Sequence, residues 1–585
     1  MVTARSVRWL GSSLLLALLA TSPPGCAETQ PPIQRVGNEV LEKSAFEGEW
    51  YYLQTVIDAP YGIAWATVGD QSLLERIEWE IQERYLIVRR SYEFVRGSEG
   101  TGIAGTASEP HAPIAMFEIT SHFDIRRTYN TVTGEEENVI VENDTDRPWN
   151  LRRFMRVDWS RNLISDGDAL SYARIFDGVE LEPIAYHVND PASPDAPRFA
   201  FAEDGSMNYV DVVSRAFVRP TEIEIDGYRW PTCWLEYHSH VDCAPSEIGL
   251  RHSFLRVEPD ADYQPMDYSG DRMERFGYFV TERAGYDPEY GAVEPARRRW
   301  VNRHNLWTES YRRDEAGAPL RCSSDAECDD GRGSICDRNY GLARLEPQGA
   351  CTHAYRDRAP QVTPYYLSEA FPADLATTAE AVFEEWNDTF VQTVGSLREA
   401  ECQSRGGGDC AAERAREDAQ TLLVLCHNPV VEEDHDACGE VGTVARLGDL
   451  RYSLLGWVPE PGLASPLGFG PSAADPLTGE LIHATTLVYG TGVEELASYG
   501  RDLVAILNGD LPESDIMSGE HVRRWVERNE RTRGRARPMT GADLGRVEAS
   551  IDLSRITGGR RDGGSRRSHD LPGLRAAAVR SLARR

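Results

Sequence analysis

Ten of the eleven cysteines lie in short groups along the chain, and this grouping limits the fold more than any other feature. An even number of closely spaced cysteines is typical of disulfide-bonded proteins in an oxidising compartment. We therefore predict five local disulfides, with the connectivity left open by sequence. A zinc site built from the central four cysteines is the alternative, although paired CxxC knuckles are missing. The groups are Cys233 with Cys243; Cys322, Cys328, Cys336 and Cys351; Cys402 with Cys410; and Cys426 with Cys438.

The remaining cysteine, Cys26, ends an N-terminal segment with the features of an export signal. MVTARSVRWLGSSLLLALLATSPPGC has two arginines, a short apolar run and small residues before Cys26. The run is too short to span a bilayer, so residues 1–26 are predicted to be a signal peptide. The Gly25-Cys26 pair resembles a bacterial lipoprotein processing site, which implies lipidation of Cys26. The expected location is the bacterial cell envelope, anchored by lipid in the outer membrane or periplasm; the alternative is a secreted protein.

Charge is distributed unevenly along the 585 residues. The formal net charge is −32, yet residues 521–585 hold 17 Arg against 7 Asp and Glu, which leaves −42 on the rest. An acidic body repels nucleic acid, so no nucleic-acid partner is expected. A chain of this length also exceeds the size of a single hydrophobic core, so several domains are expected.

The Cys-rich segment raises the question of calcium binding. Asp325, Asp329, Asp330 and Asp337 lie among its cysteines and glycines. Carboxylates are calcium ligands, but the D-x-D-x-D-G order of an EF-hand loop is missing. A solvated loop held by disulfides is the interpretation we prefer.

A strand, a helix, another strand and a hairpin follow each other after the Cys-rich segment. YYLSEAFP is predicted to be a strand, and the apolar spacing around AVFEEWN predicts a helix. LRYSLLGW is the next strand, and DPLTGELIHATTLVYG contains a turn followed by an alternating strand. This last strand is predicted to border a cleft, where it pairs with an extended peptide. The residues proposed for that peptide-binding edge are Leu481, Ile482, His483, Thr485, Thr486 and Leu487.

The order of these segments resembles the N-terminal half of metzincin-type zinc metalloproteases. TDRPWNLRRFMRVDWS, VLCHNPV and GPSAADPLTGELI are similar to segments of large zinc-dependent metalloprotease-like lipoproteins of myxobacteria. The resemblance extends over residues 47–510. It implies a zinc cofactor, held in that family by an HExxH helix that follows the TGE strand.

That catalytic motif is missing from this chain. None of the 13 histidines has a second histidine four residues later. The helical segment after the TGE strand carries Glu494, Glu495 and Asp502, and carboxylates alone are poor zinc ligands. No catalytic or metal-binding residue is therefore assigned, no cofactor is expected, and whether the chain is an enzyme stays open.

The expected fold class is α+β, with an incomplete metzincin-like α/β subdomain. The expected function is that of a cell-envelope lipoprotein related to zinc metalloproteases that does not cleave peptides alone. The alternatives are a peptide- or lipid-binding module or one half of a split metallopeptidase whose partner carries the catalytic half. Three interpretations of the Arg-rich end stay open: a basic tail that contacts acidic lipid headgroups or a polyanion, a disordered or weakly helical end, or a chain that is truncated or frame-shifted before the catalytic helix. The expected regions are signal peptide 1–26, linker 27–46, β-rich domain 47–320, Cys-rich insert 321–352, partial metzincin-like subdomain 361–512 and Arg-rich disordered tail 521–585.

Overall fold

A computed structural model shows a mixed α+β, strand-rich protein with several disulfides. It describes residues 31–60, 63, 66–93, 95, 113–164, 179–233, 243–258, 262–287, 289–292, 297–344, 346–416, 418, 420–459 and 467–532. The signal peptide and Cys26 lie outside these ranges. Among the helices described, none is long and apolar enough to cross a membrane.

The strands, in chain order, are β1 (Ile33–Gln34), β2 (Leu41–Glu42), β3 (Trp50–Asp58), β4 (Glu75–Ile81), β5 (Tyr85–Arg90), β6 (Pro113–Tyr129), β7 (Glu136–Asn143), β8 (Phe154–Asp158), β9 (Val179–Ile184), β10 (Arg198–Phe201), β11 (Met207–Pro220), β12 (Glu222–Ile225), β13 (Tyr228–Pro231), β14 (Ser246–Arg256), β15 (Val280–Arg283), β16 (Tyr286–Asp287), β17 (Gly291–Ala292), β18 (Arg298–Val301), β19 (Arg321–Cys322), β20 (Cys336–Asp337), β21 (Gly349–Cys351), β22 (Thr363–Leu367), β23 (Leu423–Cys426), β24 (Ser453–Val458), β25 (Gly468–Phe469), β26 (Ser472–Ala474) and β27 (Leu481–Tyr489).

The α-helices, in chain order, are α1 (Asp271–Arg275), α2 (Asp325–Cys328), α3 (Arg338–Arg344), α4 (Ala376–Ser404), α5 (Cys410–Arg414), α6 (Gly490–Asn508), α7 (Glu513–Met517) and α8 (Glu520–Thr532). Helix α8 covers the start of the segment expected to be a disordered tail. The rest of that segment lies outside the described residues.

Contacts between residues divide the described part of the chain into two compact units. The first contains 31–47, Glu80–Ile87 and Phe117–Asp158, and the second contains Gly48–Trp79, 88–116 and the chain from Trp159 onward. Within the first unit, β7 pairs in parallel with β1 and in antiparallel fashion with β6. Strand β8 pairs with β6 on one side and with β2 on the other.

A sheet of long antiparallel strands forms one core of the second unit. Strand β14 pairs with β11 from Tyr209↔Leu255 to Val218↔Ser246, and β3 pairs with the opposite side of β14. Strand β3, WYYLQTVID, is buried over most of its length. Residues of both faces are therefore shielded from water, which explains why its sequence is almost continuously apolar and aromatic.

A second, mixed sheet contains the segments expected after the Cys-rich insert. Strands β23, β22, β24 and β27 are parallel to one another, and β25 and β26 run antiparallel to β27. Helix α4 connects β22 to its parallel neighbour β23, as parallel pairing requires a crossover. Phe383 and Phe390 of α4 pack against the core cluster that contains Tyr365 of β22. Val382 and Trp386, which the apolar spacing places on the same face, are exposed, so the predicted packing face is wrong at these two positions.

Five disulfides join the cysteines within each sequence group, so the predicted local pairing is confirmed. The pairs are Cys233–Cys243, Cys322–Cys336, Cys328–Cys351, Cys402–Cys410 and Cys426–Cys438. The four central cysteines form the buried core of the Cys-rich insert, because this segment contains few other apolar side chains.

Candidate functional site

The DPLTGE segment, residues 475–480, forms a tight turn between β26 and β27. The backbone N–H of Asp475 donates to the carbonyl of Glu480 over 2.8 Å, and Thr478 Oγ1 donates to Asp475 Oδ2 over 3.0 Å. Gly479 has a φ of 78°, and a Cβ there would lie 2.6 Å from the Val301 carbonyl oxygen. Glycine is therefore required at this position for both conformation and close packing.

A buried cluster of charges holds this turn against the first sheet of the second unit. Arg76 of β4 donates from Nε to Asp475 Oδ1 over 3.0 Å and from Nη2 to Asp475 Oδ2. Tyr51 donates to Asp475 Oδ2 over 3.1 Å, and Arg76 also pairs with Glu49. Burial raises the pKa of Asp475, but the charge and hydrogen bonds of Arg76 outweigh it and lower that pKa below its usual value. Asp475 is thus a buried carboxylate anchor.

Glu480, the last residue of the turn, is a buried carboxyl group with a raised pKa. Burial, followed by the negative charge of Asp475, raises its pKa to about 7. Carboxyl groups with a pKa near neutrality are frequent at functional sites, because both protonation states are accessible. Sequence reasoning missed Glu480, although the TGE motif was recognised, because its pKa depends on partners from distant segments.

Strand β27 contains all six residues predicted for peptide binding. Leu481 and Ile482 are half-buried, Thr486 is exposed, and the other three are buried: His483, Thr485 and Leu487. One side of β27 pairs with β24 from Thr485 onward. The other side pairs with β26 and then with β25. The strand is therefore not an edge of the sheet, because the preceding segment folds back onto it.

His483 lies in the interior rather than at a surface or edge. Its side chain is 0% exposed, and Nε2 is 2.8 Å from Thr485 Oγ1. Burial lowers the pKa of His483 to about 4, so the imidazole is neutral at physiological pH. A hydrogen-bonded core histidine is the interpretation that fits this environment.

Helix α6 begins at Gly490, directly after β27, where the resemblance implies a zinc-binding helix. Its carboxylates include Glu494, Glu495 and Asp502, and His521 Nε2 lies 3.6 Å from Asp502 Oδ2. Four apolar side chains at helical spacing are at least half exposed and are called the α6 stripe: Leu496 (54%), Tyr499 (64%), Leu503 (57%) and Leu507 (50%).

The positions of possible metal ligands bear on the zinc and calcium sites considered from sequence. Across the described ranges, ligand atoms of three or more such residues come within 4.8 Å of one another only at Cys322, Cys328 and Cys336. All three sulfurs are in disulfides, which removes them as zinc thiolates. Two of the aspartates proposed for calcium instead accept hydrogen bonds inside the insert: Asp330 from Ser334, and Asp337 from Tyr311.

Comparison with known proteins gives no match to a family model, a curated protein or a solved structure. Functional conclusions for this chain therefore rest on its own residues and their geometry.

Proposed function

We propose that this protein is a cell-envelope lipoprotein related to zinc metallopeptidases that does not cleave peptides by itself. The observation that carries the proposal is the composition of helix α6, which follows the TGE turn and β27 without any histidine. The chain order β22, α4, β24, TGE turn and β27 supports the relationship, since it follows the order of segments on which the resemblance rests.

Membrane attachment is the second part of this proposal. Cys26 lies outside the described residues, and the proposal rests on the lipoprotein-like sequence before it. Fractionation of cells that express the wild type and Cys26→Ser tests it. The wild type is expected in the membrane fraction and the variant in the soluble fraction; an unchanged distribution would argue against the anchor.

A direct assay tests the lack of peptidase activity. The purified full chain is incubated with a fluorogenic peptide library and casein, with and without added zinc, and its zinc content is measured by mass spectrometry. We expect neither cleavage nor stoichiometric zinc. Cleavage that disappears with a chelator would overturn the proposal, and the Glu480→Gln variant would then show whether the carboxyl with a pKa near 7 takes part.

A split metallopeptidase is the second candidate, and the α6 stripe favours it. Exposed apolar residues on one helix face are typical of surfaces that bind a second helix. Glu495 and Asp502, two helical turns apart, lie along one side of the stripe. We infer that the partner is a zinc-binding protein that presents an apolar helix flanked by lysine or arginine.

Cross-linking in cells tests this partner. The expected product is a complex that contains zinc and peptidase activity and is lost in Leu503→Glu. Thr491→Glu, at an exposed position near the start of α6, is the matched control and should retain the complex. A complex without zinc, or one that Leu503→Glu leaves intact, would refute the split-enzyme candidate.

A further inference from the structure

A cleft of about 280 Å³ lies between the Cys-rich insert and the last turns of α4. The insert contributes Gly333, Ile335 and Thr352 to one wall, and α4 contributes Leu397 and Glu401 to the other. Sites for drug-sized molecules occupy roughly 300–1,000 Å³. The cleft therefore suits a smaller molecule, of the size of an amino acid.

Disulfides hold both walls of the cleft. Ile335 precedes Cys336, which is bonded to Cys322, and Thr352 follows Cys351, which is bonded to Cys328. The end of α4 is held by the Cys402–Cys410 disulfide. Walls that are fixed before binding lose little conformational entropy when a ligand enters, which favours affinity for a small molecule.

Arg358 supplies a buried positive charge to this cleft. Its side chain is 3% exposed and donates from Nε to the His353 carbonyl over 2.9 Å and from Nη1 to Gln264 Oε1 over 2.8 Å. Tyr355 stacks on the guanidinium with the ring centroid 4.4 Å away. In the part of the chain that the structure describes, no carboxylate oxygen lies within 4.0 Å of the guanidinium, and Nη2 makes no hydrogen bond.

Among the described residues, the charge of Glu401 acts on Arg358, but no carboxylate forms an ion pair with it. Burying a charge is unfavourable unless a counter-charge and hydrogen bonds compensate. Burial accordingly lowers the pKa of Arg358. Planar carboxylates match the geometry of guanidinium donors, so a ligand carboxylate would supply the missing partner. Arg405, just beyond α4, provides a second cation in the lining.

Glu401 adds a negative group on the opposite wall. Its carboxyl group packs against the backbone of the insert: a Cβ at Gly333, which has a φ of 144°, would lie 2.6 Å from Glu401 Cδ. Burial raises the pKa of Glu401, and this effect outweighs the backbone hydrogen bonds from Tyr355 and Arg356 and the charges of Arg358 and Arg405, which lower it. The lining thus places two cations and one carboxylate beside the apolar side chains of Leu397 and Ile335, so a zwitterion can pair with charges of both signs.

We propose that this cleft binds a free α-amino acid, whose carboxylate pairs with Arg358 and Arg405 and whose ammonium group pairs with Glu401. Apolar atoms of Leu397 and Ile335 would contact its side chain. This site goes beyond the proposed function and does not depend on it, since the cleft is built from the insert and α4.

Calorimetric titration of the full chain with L-leucine, L-leucinamide, N-acetyl-L-leucine and glycyl-L-leucine tests the proposal. L-Leucine should bind, and L-leucinamide, which has no carboxylate, should bind at least ~10-fold more weakly. N-Acetyl-L-leucine, which has no ammonium group, should also lose affinity. If glycyl-L-leucine bound as tightly as leucine, the cleft would still bind a carboxylate, but that carboxylate would belong to a peptide C-terminus and not to a free amino acid.

Two variants assign the charges, Arg405→Ala at an exposed position and Glu401→Gln at a half-buried one. Arg405→Ala should weaken leucine and N-acetyl-leucine alike, by ~10-fold. Glu401→Gln should weaken leucine and leave N-acetyl-leucine unchanged. Glu384→Gln, at an exposed position on α4 away from the lining, is the matched control and should bind leucine normally.

Three results would overturn the site. One is the absence of heat with all four compounds at about 10 mM, a concentration that detects even weak binding. The second is equal affinity for leucine and leucinamide. The third is wild-type affinity for leucine in all three variants Arg405→Ala, Glu401→Gln and Arg358→Lys. The Arg358→Lys result counts only if its circular dichroism spectrum matches that of the wild type, which shows that it is folded.

Discussion

Arg76 and Asp475, 399 residues apart in sequence, form a buried two-point ion pair that ties strand β4 to the turn before β27. The side chain of Asp475 is 1% exposed and that of Arg76 is 13% exposed. Tyr51 donates a further hydrogen bond to the same carboxylate. The TGE turn is therefore positioned by the strands of another sheet, and its stability depends on these partners.

Arg76→Ala is expected to destabilise the protein strongly, because it leaves the buried Asp475 carboxylate without its counter-charge. Removing one partner of a buried ion pair costs about 3–5 kcal/mol. Chemical denaturation followed by tryptophan fluorescence measures the change. Arg153→Ala, which removes an exposed pair with Glu42, is the control and should unfold at the wild-type denaturant concentration. Similar effects of the two substitutions would contradict the buried pair.

Glu480 should lower the free energy of unfolding by a growing amount as the pH rises from about 4.5 to about 8, whereas buried neutral histidines such as His483 act in the opposite direction below about pH 6.5. The pKa of Glu480 is about 7 in the folded protein and near 4.5 when unfolded. At Glu480 the folded state therefore binds more protons than the unfolded state in this interval, so the contribution of this group to stability decreases with pH. The expected loss is on the order of 2–3 kcal/mol.

Glu480→Gln should remove this contribution from the pH profile, because the amide does not ionise. Denaturation curves of both proteins at closely spaced pH values give the comparison. We expect the variant to be more stable than the wild type at pH 8 and similar to it at pH 4.5. Parallel profiles for the two proteins would show that Glu480 titrates normally.

The ten cysteines beyond Cys26 should contain no free thiol. Thiol titration of Cys26→Ser in denaturant without reductant is expected to give none, and peptide mass mapping should recover the five local pairs. Replacing Cys328 and Cys351 together by Ser should cost about 2–4 kcal/mol, since the pair closes a loop in the unfolded chain. Stoichiometric zinc without reductant would contradict the pairing and support the thiolate site.

Leu503→Ser should change the free energy of unfolding by no more than about 0.5 kcal/mol, because this side chain of the α6 stripe is largely exposed. Leu487→Ala is the contrasting variant, as Leu487 is buried with Val458 and Tyr489. Leu487→Ala should lower the free energy of unfolding by about 2–5 kcal/mol, because it leaves a cavity in the core. A large effect of Leu503→Ser would show that the stripe is covered within the chain.

The disulfides, helix α4, the turn at 475–480 and strand β27 could be predicted because each depends on residues that are close together in sequence. The disulfides close short loops between cysteines that are near in sequence, and the apolar spacing of α4 defines the face with Phe383 and Phe390. The turn at 475–480 follows from its own aspartate, threonine and glycine. Alternation likewise indicated that Leu481–Tyr489 is a strand.

The edge position of β27 was wrong because periodicity shows which face of a strand is buried, not which of its sides is hydrogen-bonded. The hydrogen bonding of the second side of β27 depends on β25 and β26, which pair antiparallel with it.

The sequence by itself thus determined that the disulfides are local, the main strands and helix, and the TGE turn, each of which depends on neighbouring residues. Only the tertiary structure decided the burial of His483, the raised pKa of Glu480 and the cleft at Arg358. These properties arise where segments far apart in the chain meet and exclude water. Desolvation and the charges of distant partners set them, and neither is encoded in local spacing.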